Sequence, residues 1–320
     1  MPNIQHLVLS GGGAFLFTLY GILRDSQKAN FWELSNIQSI YGTSAGAISA
    51  AIIALDYDWD TLDKYLIKRP WHNVFKMDMY SIMNSFQKRG MLDIKVVEQI
   101  YEPLLTAKDI SIDITLQDFY DITKKEIHFF TTDYDIFELV DISYKTHPTW
   151  KLTEAVYASC CLPILFIPFV KDGKTYVDGS FFSNYPIGSC CKNVENTEEI
   201  FGIRKGSKHI DMDTGTKTRI KKEGDGEETL VDYIFQLLSK IVKKMHSNVV
   251  SDEITVKNEL YITFDKTSIY DIYLATTNIP EREKLIEKGV NAWNLFYKYR
   301  EHAIQISDTL EIDESKKVNS

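Results

Sequence analysis

Ile4-Gln5-His6-Leu7-Val8-Leu9-Ser10-Gly11-Gly12-Gly13 lies near the start of the sequence, and Ile37-Gln38-Ser39-Ile40-Tyr41-Gly42-Thr43-Ser44-Ala45-Gly46 follows a short way on. Each is a run of β-branched and apolar residues that breaks into glycine, the pattern of a buried strand entering a tight turn. Behind each turn the period changes. Residues 14–23 and 44–55 carry apolar side chains at helical spacing. The second stretch is almost wholly Ala and Ile, which predicts a helix buried on most sides. Strand, glycine turn and helix, twice within 55 residues, predict an α/β layered fold with parallel strands.

Outward from there, residues 56–121 read as mostly helical, with charged faces such as that of Asp93, Lys95 and Glu98. Strand patterns return at 126–132 and 137–142, a short helix at 152–159, and strands at 176–177 and 200–203. Residues 204–230 are rich in Lys, Asp, Gly and Thr and nearly free of aliphatic side chains, which predicts an exposed excursion. Residues 231–250 then form an amphipathic pattern with Ile234, Leu237, Leu238, Ile241, Val242, Met245 and Val249 in register and Lys240, Lys243 and Lys244 near the other face. It reads either as a helix docked on the sheet or as a lid or foot on anionic lipid. A strand at 260–264, a helix at 281–299 and a polar tail from Ser307 complete the chain.

With 44% hydrophobic and 25% charged residues in 320, the composition is that of a globular protein and excludes extensive disorder. Asp and Glu outnumber Lys and Arg by 45 to 36, a net charge of −9, which argues against a general nucleic-acid binder because phosphate binding needs a basic face. The four cysteines form two adjacent pairs, Cys160-Cys161 and Cys190-Cys191. That spacing suits neither a zinc site nor a disulfide framework, so they read as small buried hydrophobes in a reducing compartment. No apolar run resembles a signal peptide or reaches the length of a membrane span, and the expectation is a soluble, cytoplasmic protein.

Three features bear on chemistry. Gly42-Thr43-Ser44-Ala45-Gly46 is a G-x-S-x-G between a strand and a helix, the context that a nucleophile elbow requires; a serine N-cap on a tight turn would look the same. Gly11-Gly12-Gly13 leaves bare backbone N–H groups at a helix start, able to serve as an oxyanion hole or merely to turn the chain. A nucleotide loop fits poorly, since neither a Gly-Lys-Ser/Thr nor the further glycine of a dinucleotide fingerprint is present. Asp178-Gly179-Ser180 ends a strand pattern, where a carboxylate is either a turn former or a group on the ligand side of an α/β sheet. None of His6, His72, His128, His147, His209, His246 and His302 has a distinctive setting, so a direct Ser–Asp dyad is simpler than a triad.

The order of these motifs resembles the patatin-like phospholipase family. Ala158-Ser159-Cys160-Cys161-Leu162-Pro163, Tyr176-Val177-Asp178-Gly179-Ser180 and Asn184-Tyr185-Pro186 follow the same pattern, and the resemblance covers roughly residues 4–204. It implies a three-layer α/β/α fold around a central, mostly parallel sheet. It also implies a Ser–Asp dyad hydrolysing fatty acyl esters of phospholipids or other lipids, with no metal or other cofactor. Ser44 would be the nucleophile and Asp178 the general base, with the amides of Gly11, Gly12, Gly13 and Ala45 as the oxyanion hole and Gly42, Gly46 and Gly179 supporting the motifs. The chain then divides into an acyl-hydrolase region at 4–204, an exposed charged excursion at 205–229, elements at 230–306 completing the same domain, and a flexible tail at 307–320. Peripheral membrane contact goes with such a substrate. There are two departures from the family pattern: Phe15 and Leu16 stand where a cation and a glycine usually follow the triplet, and Ser180 stands where Gly or Ala is commoner. The first motivates an alternative, a lipid-binding pseudoenzyme of the same fold.

Overall fold

The computed structural model describes residues 2–76, 87–206 and 256–318 apart from 267, together with 254 and scattered positions between 233 and 242. Most of the amphipathic helix expected at 231–250 and most of the excursion before it lie outside the described residues; Lys205 and Gly206 belong to a strand.

The first half contains β1 (His6–Leu9), α1 (Phe15–Lys28), β2 (Ser39–Thr43), α2 (Ala45–Ala54), α3 (Trp59–Lys68), β3 (Gly90–Leu92), α4 (Lys95–Thr106), α5 (Leu116–Thr123), β4 (Glu126–Asp133) and β5 (Glu138–Ile142). The second contains α6 (Leu152–Cys160), β6 (Ile164–Phe166), β7 (Phe169–Lys171), β8 (Lys174–Asp178), α7 (Ile187–Asn193), β9 (Ile200–Gly206), β10 (Asn258–Thr263), α8 (Ile269–Thr277) and α9 (Ile279–Val318). Local chemistry marks many of the ends. Asp58 caps α3 through Thr61 N at 2.8 Å, Thr115 caps α5 through Asp118 N at 3.1 Å, and Ser268 and Asp271 form a capping box on α8. The last helix runs well past the 281–299 span read in the sequence, because nothing from Tyr299 to Val318 is Gly or Pro.

One sheet organises the chain in the order β10-β9-β1-β2-β4-β8-β7, with β5 also on β4. β10, β9, β1, β2 and β4 are mutually parallel, as the glycine-turn repeats predict. β5, β7 and β8 are antiparallel additions. The β7–β8 connection is the two-residue turn Asp172-Gly173, both with positive φ (53° and 77°), an Asp-Gly hairpin signal that the reading of the sequence passed over.

Side chains alternate between two cores. Leu7, Leu9, Ile40, Ile127, Phe129, Phe201 and Ile203 enter the larger one, against α1, α2, α6 and α9. Val8, Tyr41, Phe130 and Ile200 enter the smaller one, beneath α7. Helices on both faces of a mostly parallel sheet make a three-layer α/β/α fold. Arg282 fastens the larger layer: it is almost fully buried and donates to the carbonyls of Ile67, Ala275, Thr276 and Arg69, joining α9 to the ends of α3 and α8. All four cysteines are free, and Cys160, Cys161 and Cys190 are buried.

On the smaller face His128 stacks on Tyr41 with ring centroids 4.2 Å apart. Its Nδ1 lies 2.8 Å from Asp141 Oδ2 and its Nε2 3.1 Å from Glu126 Oε1. Burial pulls its pKa down, but the bonds to Asp141 and Glu126 outweigh it and hold the imidazolium up to about 8. Because the folded value exceeds the unfolded one, the stabilisation is complete below about pH 6.5 and is lost as pH rises through about 8. A shift of this size corresponds to about 2 kcal/mol. Urea unfolding is therefore expected to show a drop of that order between pH 6 and 9 in the wild type, and a flatter profile in His128→Gln.

Candidate active site

β4 brings the two motifs together. Its Phe129 and Phe130 pair with Gly42 and Thr43 of β2 on one edge and with Ile142 and Asp141 of β5 on the other. From Thr131 onward β5 keeps its edge, and β8 takes the edge that β2 has left, with Asp178 opposite Thr131. β2 therefore ends opposite Phe130, and β8, running the other way, ends opposite Thr131. Ser44 and Asp178 face each other at the junction of two strands that meet end to end along a third.

Ser44 occupies a strained conformation, φ 54° and ψ −117°, between β2 and α2. Such a geometry survives in a non-glycine residue only where its surroundings over-determine it. Here Ser44 N donates to Ser159 Oγ at 3.0 Å, Ser159 Oγ donates to Phe130 O at 2.6 Å, and Thr43 Oγ1 donates to Ser183 O at 2.7 Å. The flanking glycines are required by close approach. A Cβ on Gly42 would lie 2.6 Å from Gly46 C, and one on Gly46 would overlap the Leu9 carbonyl of β1. Gly179 is likewise pressed against the Phe130 carbonyl.

Asp178 is 1% exposed and its Oδ1 accepts from Ser180 N at 2.8 Å. Burial raises its carboxyl pKa; hydrogen bonds from Ser180 and Ser44 and the charge of Lys205 act in the opposite direction without cancelling the rise. The Ser44 hydroxyl thus borders a carboxylate that is a stronger base than an exposed aspartate. Cys160, the thiol next to Ser44, is held neutral, its pKa pushed well up by burial and by the Asp178 charge. No histidine among the described residues hydrogen-bonds Ser44 or Asp178. His128, whose setting is distinctive after all, spends both ring nitrogens on Asp141 and Glu126.

The glycine turn sits across from the elbow. Among the described residues no acceptor takes the amides of Gly12, Gly13 or Ala45. Gly11 differs from the expectation: its N–H donates to Asn184 O at 2.9 Å, so it braces the turn and is not a free donor. Asn184 Nδ2 completes the brace by donating to Ser10 Oγ at 3.0 Å. An apolar pocket, partly open to solvent, begins at Ser44 and Ala45 and is walled by Ile48, Trp71, Phe75, Leu162 and Ile272 among others. Leu16 lines it, whereas Phe15 is fully buried edge-on to Phe264 at 5.2 Å. Among the described residues no group of His, Cys, Asp or Glu is arranged to hold a metal ion, and no helix is long and apolar enough to cross a membrane.

A strand-to-helix elbow, a glycine turn and a buried aspartate at the ends of a mostly parallel sheet define an α/β protein of hydrolase architecture. The family model described as patatin-like phospholipase matches residues 7–190, more than half of the sequence, and the chain belongs to that family. Similar proteins include the uncharacterized protein R571 of Acanthamoeba polyphaga mimivirus, 26% identical over 296 residues that span 91% of this chain and 92% of that one. The probable lipid hydrolase 463L of Invertebrate iridescent virus 6 is 23% identical over 186 residues, 58% of this chain and 63% of that one. Among solved structures, VipD from Legionella pneumophila is 17% identical with a TM-score of 0.46, covering 90% of this chain and 67% of its own.

The packing at the elbow has a direct test. Gly46→Ala places a methyl group into the Leu9 carbonyl, and is expected to cost about 2 kcal/mol or more. A thermal melt should show a midpoint several degrees lower than that of the wild type.

Proposed function

We propose that this chain is a lipid acyl hydrolase of phospholipase A type, with Ser44 as nucleophile and Asp178 as general base. The observation that carries the reading is the junction on β4, which sets a strained serine beside a buried carboxylate of raised pKa. In the first half-reaction Asp178 takes the Ser44 proton as Oγ attacks the ester carbonyl. The carbonyl oxygen becomes an anion held by the amides of Gly12, Gly13 and Ala45. Collapse of the tetrahedral intermediate breaks the C–O bond to the alcohol, which leaves with the proton from Asp178. Water then attacks the acyl-serine, Asp178 accepting its proton, and the fatty acid departs as Ser44 regains its hydrogen.

The pocket supports an acyl chain as the group transferred, since its walls are almost entirely aliphatic and aromatic. A second feature supports contact with lipid aggregates. The β4–β5 and β7–β8 hairpins run beyond Asp178 and carry Tyr134, Ile136, Phe137 and Val170, all at least 45% exposed. Exposed apolar side chains beside an apolar site suit insertion between head groups.

Ser44→Ala and Asp178→Asn are each expected to lower turnover of phospholipid vesicles by about 10³-fold or more, and full activity in Ser44→Ala would overturn the reading. Binding of vesicles without turnover by the wild type would favour the pseudoenzyme instead. Asp178→Asn should also melt no lower than the wild type at pH 7. With its folded pKa raised, Asp178 contributes most stability below the ordinary carboxylate pKa, and this is lost as pH rises through the folded value. The amide avoids that ionisation. Finally, Ile136→Asp with Phe137→Asp should slow hydrolysis of vesicles by about tenfold while sparing a soluble nitrophenyl ester.

A further inference from the structure

We propose that Lys205 is the cation of the oxyanion turn: its ammonium, delivered from the end of β9, stabilises the oxygen anion that forms over Gly12 and Gly13 when Ser44 attacks. The assignment rests on the serine-hydrolase reading above and adds a residue to it.

The placement follows from strand register. β9 lies parallel to β1, with Ile203 opposite Leu9 and Ser10 N donating to Ile203 O at 3.2 Å. β1 then ends in the glycine turn, while β9 continues to Gly206. Lys205 therefore stands beside the turn, and its side chain lies across Gly12. A Cβ built on Gly12 would sit 2.7 Å from Lys205 Cδ and 3.0 Å from Nζ. The absence of a side chain at position 12 is what admits the lysine stem, so the ammonium reaches the stretch of backbone whose amides find no acceptor among the described residues.

The other side of the turn could not supply such a charge. Phe15 opens α1 with its ring fully buried against Phe264. A cation in that place would be stripped of water within an aromatic core, a cost that only a buried partner could offset. Lys205 is half-buried and comes to the turn from the end of β9, with no aromatic core among the described residues around the strand position that carries it. Its field also reaches the dyad, since Lys205 is among the groups that favour the ionised form of Asp178, together with Ser44 and Ser180. The nearby thiols Cys160 and Cys161 are neutral, their pKa values pushed well up by burial. A negative charge developing on the ester oxygen would add to that of Asp178, and Lys205 is positioned to offset it.

A neutral, soluble nitrophenyl ester tests this, because it has no phosphate for a lysine to bind. Lys205→Met is expected to lower kcat by about 10–100-fold with little change in KM, and to move the acidic limb of the pH profile upward. Lys205→Arg should retain most of both. If the Met variant is poorly folded, Lys205→Cys supplies the second arm: it should be slow as the thiol and recover when alkylated with bromoethylamine, which restores an ammonium of similar reach, the wild type treated alike serving as control. Wild-type kcat and pH profile in Lys205→Met, with Ser44→Ala inactive, would overturn the assignment and leave the dyad standing. A defect confined to phospholipid KM would also overturn it, making Lys205 a head-group contact. Full activity in Ser44→Ala would instead overturn the underlying serine reading.

Discussion

Everything at the site depends on one edge of β4 being shared by two strands. A strand has two hydrogen-bonding edges, and β5 occupies one of them along Phe129–Asp133. The other is filled first by β2 and then, without an overlap, by β8 arriving from the opposite direction. The serine and the aspartate come from distant parts of the sequence, yet their separation is set by one step along a buried strand. Backbone hydrogen bonds hold that step far more stiffly than loop contacts could.

Around this junction the structure spends stability on geometry. The Ser44 backbone is strained, Asp178 is an ionisable group sealed from water, and glycines stand where Leu9 and the turn of α2 come too close for any side chain. The compensation is distributed. Ser159 and Ser183 fasten the elbow, Asn184 fastens the glycine turn, and the two cores on either face of the sheet supply the apolar burial that makes such local costs bearable.

Much of this was legible in the sequence, for identifiable reasons. Residues 6–9 and 39–43 announce themselves because a strand buried on both faces is a continuous apolar run, and a glycine turn with a helix behind it leaves few alternatives. The elbow and the aspartate were readable as motifs because steric necessity restricts what can stand beside them. Other features were not. The short β6 and β7 fall within one apolar stretch, so periodicity could not separate them; β8 was read only at 176–177, and the Asp172-Gly173 hairpin signal joining it to β7 went unused. That the Gly11 amide is consumed by Asn184 is a tertiary fact with no local trace. The same holds for His128, whose carboxylate partners lie on its own strand and on a neighbour set by the hairpin. Lys205 sat at the border of a charged stretch, where one lysine among many has no mark until strand register puts it over Gly12.

The end-to-end meeting of β2 and β8 has a consequence for how such a chain can change over generations. Since β4 sets the serine and the aspartate in register, with Ser159 and Ser183 bracing the elbow, the long segment between Ser44 and Asp178 is free to grow, shrink or be exchanged where it loops out away from those contacts. A lineage can therefore remodel the walls of the apolar pocket, or the β4–β5 hairpin, by insertion and deletion without moving the serine and the aspartate. What it cannot accept is a single-residue slip within Glu126–Asp133, which would part the two groups at once.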